Sequence, residues 1–211
     1  MYLLFDFDGT LVDSFDCVLK KSILLSDEFY FRKLNDDEIN GLRDLSSKEL
    51  IKFLQVPIYK IPKLILTMRK HLHNEMRNLT PFPNIYQVVE RLYDHKFSLG
   101  ILTSNSVENV SLWLDLHKMS HFFNFIHTES NFFSKKYLLK KTISSYKIDK
   151  SQTYYIGDET RDIDAAHKNN IKSIAVTWGY NSEKALLKYE PSFIVQRPED
   201  ILALCGIQGL K

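Results

Sequence analysis

Short apolar runs recur along this chain, and amphipathic stretches separate most of them. The runs cover residues 2–7, 98–102, 123–126, 153–156, 171–176 and 193–195. Each is a few residues long and apolar through most of its length, as strands buried on both faces should be. Between them, residues 84–95 place Ile85, Val88, Val89 and Leu92 at helical spacing, and residues 106–116 and 135–146 behave similarly. Strands alternating with helices predict an α/β fold with a doubly wound, Rossmann-like parallel sheet.

One segment breaks the alternation. Between Ser14 and Leu79 no convincing strand pattern occurs. Leu19, Ile23, Leu24 and the Phe29 to Phe31 cluster predict one long helix. Asn35-Asp36-Asp37-Glu38 reads as a helix start, and Ser46 with Glu49 three residues on reads as a capping box. Pro62 suits the first turn of a further helix running towards Asn78. Thr80-Pro81-Phe82-Pro83-Asn84 then punctuates the chain before the alternation resumes. The expected organisation is an α/β core from residues 1–13 and 80–211, with an α-helical cap, residues 14–79, inserted after the first strand.

Composition changes this picture little. The 211 residues are 44% hydrophobic and 26% charged, an ordinary globular balance. A formal net charge of +2 gives no argument for nucleic acid or an anionic membrane surface as a partner. Cys17 and Cys205 form neither a metal-binding spacing nor a disulfide framework. The start Met1-Tyr2-Leu3-Leu4-Phe5-Asp6 does not read as a signal peptide, and no run approaches a membrane span. The expected setting is cytoplasmic, as a monomer or homodimer.

Ligands of open α/β sheets bind beyond the carboxyl ends of the strands. Asp6, Asp8 and Gly9 follow the first apolar run, Thr103-Ser104-Asn105 the second, and Gly157, Asp158 and Asp162 the fourth. Carboxylates converging from two strand ends repel unless a cation lies between them, and magnesium is the simple solution. A phosphate monoester would then meet the metal, the Thr103 hydroxyl and backbone N–H groups of the Gly9 turn. Lys135 or Lys136 would complete the clamp. One carboxylate attacks phosphorus and a second moves the proton, and Asp6 and Asp8 fit these roles in that order.

Asp6-Phe7-Asp8-Gly9-Thr10-Leu11-Val12-Asp13-Ser14 resembles the first motif of the haloacid dehalogenase-like superfamily. Ile101 to Asn105, Phe133-Ser134-Lys135-Lys136, and Tyr155 to Asp162 resemble its second, third and fourth motifs, in order. The resemblance implies an aspartyl-phosphate phosphatase with Asp6 as nucleophile and Asp8 as acid and base. It makes Thr103 a phosphate ligand and Lys135 the neutralising lysine, chosen over Lys136 by its spacing to Leu138-Leu139. Gly9, Ser104 and Asn105 join the expected substrate-binding set. Mg2+ is implied on the Asp6 carboxylate, the Asp8 carbonyl and Asp158, with Asp162 a second acid beside it. Ser134 stands where relatives often carry Gly. The helical cap is like that of phosphoglycolate phosphatase-like members, so a small phosphorylated metabolite is the expected substrate. The alternatives are a phosphosugar mutase of the same superfamily and a non-enzymatic binding protein on this scaffold. A dehalogenase proper would need neither Asp8 nor Asp158.

The remaining polar residues have plainer readings. Glu159 and Asp164 are expected at the surface, as are His71, His73 and Arg43, although Arg43 could meet a substrate carboxylate. Ser104 or Asn105 is expected to cap the following helix. Trp178-Gly179-Tyr180-Asn181 follows a strand and could line the rim of the site, but a structural loop is the expected reading, and Phe122, Phe123, Phe125, Phe132 and Phe133 are expected to pack in the core.

Overall fold

The computed structural model describes residues 1–128 and 135–208. Among these, β1 (Tyr2–Phe5), β2 (Ser98–Thr103), β3 (Phe125–Thr128), β4 (Thr153–Gly157), β5 (Lys172–Val176) and β6 (Phe193–Val195) form one parallel sheet. Its order is β3-β2-β1-β4-β5-β6. The chain winds outward from β1 in one direction and then from β4 in the other, which leaves a crevice at the carboxyl ends of β1 and β4.

Strand pleat divides the core in two. Leu3, Phe5, Leu99, Ile101, Ile156 and Ile174 point to one face. That face is covered by α5 (Ile85–Asp94), α6 (Val107–Leu116) and α10 (Glu199–Leu204), through residues such as Val88, Trp113 and Ile201. Leu4, Leu102 and Tyr155 point to the other face. There they meet α7 (Lys135–Ser145) and α8 (Thr160–Lys168) through Leu138, Leu139, Ala165 and Ala166. Both faces are therefore dry, as a parallel sheet requires. A short helix, α9 (Glu183–Leu187), follows β5.

Four helices lie between β1 and α5: α1 (Phe15–Phe29), α2 (Asp36–Leu42), α3 (Ser47–Phe53) and α4 (Ile61–Glu75). The local signals placed them well. Asn35 and Ser46 each form a full capping box, with Glu38 and Glu49, and Pro62 stands in the first turn of α4. The long helix stops at Phe29 because Tyr30 turns left-handed, with φ 57°. Leu72 and Met76 carry the end of α4 into the main core, and the Trp113 indole donates to the Leu79 carbonyl at 2.9 Å.

Several details differ from the expected pattern: the first strand ends at Phe5 rather than at residue 7, because the chain turns back on the Phe7 carbonyl. The third strand begins at Phe125 rather than at residue 123, because Phe123 closes the 3-10 turn Ser120–Phe122 and Asn124 leads into the strand. Phe125 then pairs with Gly100, where any side chain would strike the Phe125 ring. The helix after β2 is capped by Ser106, whose hydroxyl accepts from Asn109 N–H at 3.2 Å, and not by Ser104 or Asn105. Phe132, Phe133 and Ser134 lie outside the described residues. Among the described residues, no helix is long and apolar enough to cross a membrane.

Candidate active site

The first strand delivers Asp6 into the crevice. Its N–H donates to the Ile156 carbonyl at 2.8 Å, so pairing with β4 continues one residue beyond β1. Phe7 then buries against Trp113 with ring centroids 5.3 Å apart, which anchors the chain on both sides of the carboxylate. A tight loop follows, in which Leu11 and Val12 N–H groups donate back to the Phe7 carbonyl. Gly9 sits in this loop at φ 77°, and its N–H goes to the Val12 carbonyl at 2.9 Å rather than to the crevice. Its structural part is steric: a side chain there would collide with the Asp158 carboxylate.

The fourth strand supplies the facing acids. Asp158 is fully buried, and its two oxygens accept from the Thr10 hydroxyl at 2.8 Å and the Tyr180 N–H at 2.7 Å. Asp162, on the first turn of α8, accepts from Glu159 N–H at 3.0 Å. Gly157 leaves the space that Asp162 fills. Lys135, the first residue of α7, buries its ammonium between Asp6 and Asp162 and forms an ion pair with each. The Lys136 ammonium instead lies over the Tyr137 ring, 4.7 Å from its centroid.

Asp6, Asp158 and Asp162 each offer an oxygen within 4.8 Å of the others, and all three are buried. Burial pushes the Asp158 carboxyl far above its ordinary range, and the charges of Glu159, Asp6 and Asp162 add to the effect. Burial likewise takes Asp162 up to about 6, against the pull of Lys135. Asp6 is also raised by burial, with Lys135 opposing. For Lys135, burial disfavours the charge, but Asp162 and Asp6 outweigh it and hold the ammonium charged. Were all three carboxyls ionised against the one ammonium, two negative charges would stand in a dry site, which is what burial opposes. An all-oxygen donor set of that charge suits a hard divalent cation, which would draw each carboxyl back to its ionised form.

Asp8 stands apart from this triad. Its oxygens accept from the Ser14 hydroxyl at 2.9 Å and the Asn105 amide at 2.9 Å. Burial raises its carboxyl, and these two donors hold it back. Ser14 is the residue before α1 yet makes no cap bond there, and the Tyr180 hydroxyl lies 2.9 Å from it. Thr103 ends β2 with its hydroxyl buried and accepting from Asn105 N–H at 3.0 Å. The Ser104 carbonyl accepts from the Arg69 guanidinium of α4.

Several residues read as bland have specific places. Glu159 is not at the surface: it is buried, accepts from Ser47 at 2.9 Å and from Arg161 Nε at 2.9 Å, and so joins α3 to the sheet edge. Burial works against its charge, but Arg161 and Lys135 prevail and keep it ionised. Arg43 is half-buried and donates to the Gly179 and Tyr180 carbonyls. The 178–181 loop is part of the site wall, since Tyr180 N–H holds Asp158 and the Trp178 indole donates to the Thr10 carbonyl at 3.1 Å. His73 is exposed but reaches Asn109 at 2.7 Å, and His71 is half-buried. Asp164 pairs with Lys168 at 2.6 Å. Asn109 and Ser47 had no local signal, because their partners lie far off in the chain.

The chain is 28% identical over 200 residues to a phosphoglycolate phosphatase of Synechococcus elongatus, covering 95% of this chain and 94% of that one. It is 27% identical over 217 residues to the pyrophosphatase PpaX of Oceanobacillus iheyensis, covering 97% and 96%. Its fold matches a haloacid dehalogenase-like family protein of Streptococcus pneumoniae with a TM-score of 0.78 at 22% identity, over 97% of each chain. The family model described as haloacid dehalogenase-like hydrolase matches residues 3–176, most of the core together with the inserted helices. The chain belongs to the haloacid dehalogenase-like hydrolases.

Proposed function

We propose that this hydrolase is a magnesium-dependent phosphatase of small phosphate monoesters, acting through an aspartyl phosphate on Asp6. One observation carries the reading: Asp6, Lys135, Asp158 and Asp162 come from separate elements into one buried cluster at the sheet's switch point. The Asp6 carboxylate attacks phosphorus and the ester oxygen leaves, taking a proton from Asp8. Water then attacks phosphorus, Asp8 accepts its proton, and phosphate departs with Asp6 restored. Lys135 and the Thr103 hydroxyl hold the phosphoryl oxygens as charge develops. Asp6, Asp158 and the Asp8 carbonyl would hold the magnesium ion, with Asp162 beside it. Bound there, it supplies positive charge to the phosphoryl oxygens.

The inserted helices, residues 14–79, act in this reading as the cap that admits the alcohol part of the ester. They enclose, with the loops after β4 and β5, a mainly apolar cavity of about 210 Å3 lined by Phe15, Leu19, Leu42, Arg43, Ser47 and Glu159. A second hollow of about 310 Å3 is lined by Lys48, Lys135, Lys136, Arg161, Asp164 and Lys168, a mostly basic approach for an anion.

The test is a panel of phosphate monoesters and pyrophosphate, assayed with magnesium and with chelator. Asp6→Asn should reduce kcat by about three orders of magnitude or more with the circular dichroism spectrum unchanged. Acid-quenched wild-type protein should carry labelled phosphate that the variant does not. Undiminished turnover by Asp6→Asn would sink the mechanism.

A further inference from the structure

A line of side chains runs from α4 to Asp8. His73 Nδ1 lies 2.7 Å from Asn109 Oδ1. Asn109 Nδ2 donates to the Arg69 carbonyl at 2.9 Å and to Asn105 Oδ1 at 2.8 Å. Asn105 Nδ2 donates to Asp8 Oδ2 at 2.9 Å. Asn105 and Asn109 are both buried.

Backbone groups fix the direction of every bond. The Arg69 carbonyl is only an acceptor, so the NH2 side of Asn109 must face it and the Asn109 oxygen must face His73. His73 Nδ1 therefore carries the proton in that bond. The Ser106 N–H is only a donor, and at 2.8 Å it identifies the oxygen of Asn105, so the Asn105 NH2 faces Asp8. The three side-chain bonds of the line, His73 to Asn109, Asn109 to Asn105 and Asn105 to Asp8, point one way, from α4 to the Asp8 carboxylate, and bonds so aligned polarise one another. With Ser14 on the other oxygen, Asn105 locks the rotation of the Asp8 carboxyl.

We infer that Asn109, backed by His73, is a positioning residue for proton transfer at Asp8. Neither touches the reacting atoms. Asn109 holds Asn105 in the one amide orientation that donates to Asp8, and His73 links that orientation to the seating of α4. The inference rests on the phosphatase reading, in which Asp8 protonates the leaving group.

Proton transfer to a leaving group matters most when that group is a poor one. The experiment compares kcat for an alkyl phosphate and for p-nitrophenyl phosphate, whose leaving group needs little protonation. Asn109→Asp keeps the shape but removes the donors to Asn105, and should lower alkyl phosphate turnover about 10- to 100-fold. Its loss on p-nitrophenyl phosphate should be several-fold smaller, the same contrast as in Asp8→Asn. The exposed His73 supplies a milder pair. His73→Leu should show the contrast in weaker form, and His73→Asn, whose Nδ2 occupies the place of Nδ1, should restore the wild-type ratio. Equal loss on both esters in Asn109→Asp and His73→Leu, or no loss in either, overturns the inference while leaving the phosphatase reading intact. A wild-type protein that hydrolyses neither these esters nor any other on the panel overturns both. If Asn109→Asp does not fold, the two His73 variants decide the matter.

Discussion

Asp158 accepts hydrogen bonds on both oxygens, and burial together with the neighbouring acids still opposes its charge. Asp158→Asn keeps both bonds, since the new amide oxygen can face the Tyr180 N–H and the new NH2 can face the Thr10 hydroxyl oxygen. The variant should therefore raise the Tm of the metal-free protein, by about 2–4 °C for each kcal/mol of repulsion removed. It should also lose magnesium-dependent activity. A lower Tm in chelator would refute the electrostatic account. Gly9 poses the opposite case. Gly9→Ala places a side chain at φ 77° against the Asp158 carboxylate, so a loss of more than about 1 kcal/mol should appear in urea unfolding, together with loss of turnover. At this scale the chain was legible where function is compressed into consecutive residues. Asp6 and Asp8 end one strand, and Asp158 follows another. Glu159 was illegible because part of what surrounds it comes from distant segments: Arg161, two residues on, and Lys135 hold its charge, while the Ser47 hydroxyl that reaches it comes from 112 positions away.

Helix starts were readable because a capping box needs only four consecutive residues, as at Asn35 and Ser46. The seam between α3 and the sheet was not, because it consists of contacts between elements. Ser47 joins Glu159, Arg43 joins the carbonyls of residues 179 and 180, and Asp44 receives Lys184 at 2.7 Å. The Ser47 bond is the buried one, and its removal leaves a buried, charged acceptor short of a donor. Ser47→Ala should cost about 1–3 kcal/mol in chemical denaturation. If the inserted helices seat the substrate, it should also raise KM more than it lowers kcat. An unchanged denaturation midpoint would show that water replaces the hydroxyl and that this contact does not hold the seam. The start of β3 was likewise beyond local pattern. The apolar run from Phe122 continues through Phe123, and only the fit of Phe125 over Gly100 selects which part of it pairs.

For the molecule as a whole, a metal held by the buried carboxylate triad would couple its binding to folding. Magnesium bound by the native site and not by the unfolded chain should raise Tm with concentration, by about 2.7 kcal/mol of stability at a hundred times the dissociation constant. Chelator should reverse both the stabilisation and the activity, and a Tm indifferent to magnesium would count against the site. The sequence by itself determined the alternation of strands and helices, the interruption by a helical block, and the polar residues that follow the first, second and fourth strands. These are local matters, since burial on both faces demands apolar runs and strand ends must carry the polar groups. Only the tertiary structure decided which side chains meet. It gave Lys135 rather than Lys136 to Asp6, turned the Gly9 N–H away from the crevice, buried Glu159 under Ser47, and ran a line of amides from His73 to Asp8. The physical reason is that hydrogen bonds and ion pairs in a dry crevice depend on distances of a few ångströms between segments, and no spacing along the chain encodes those.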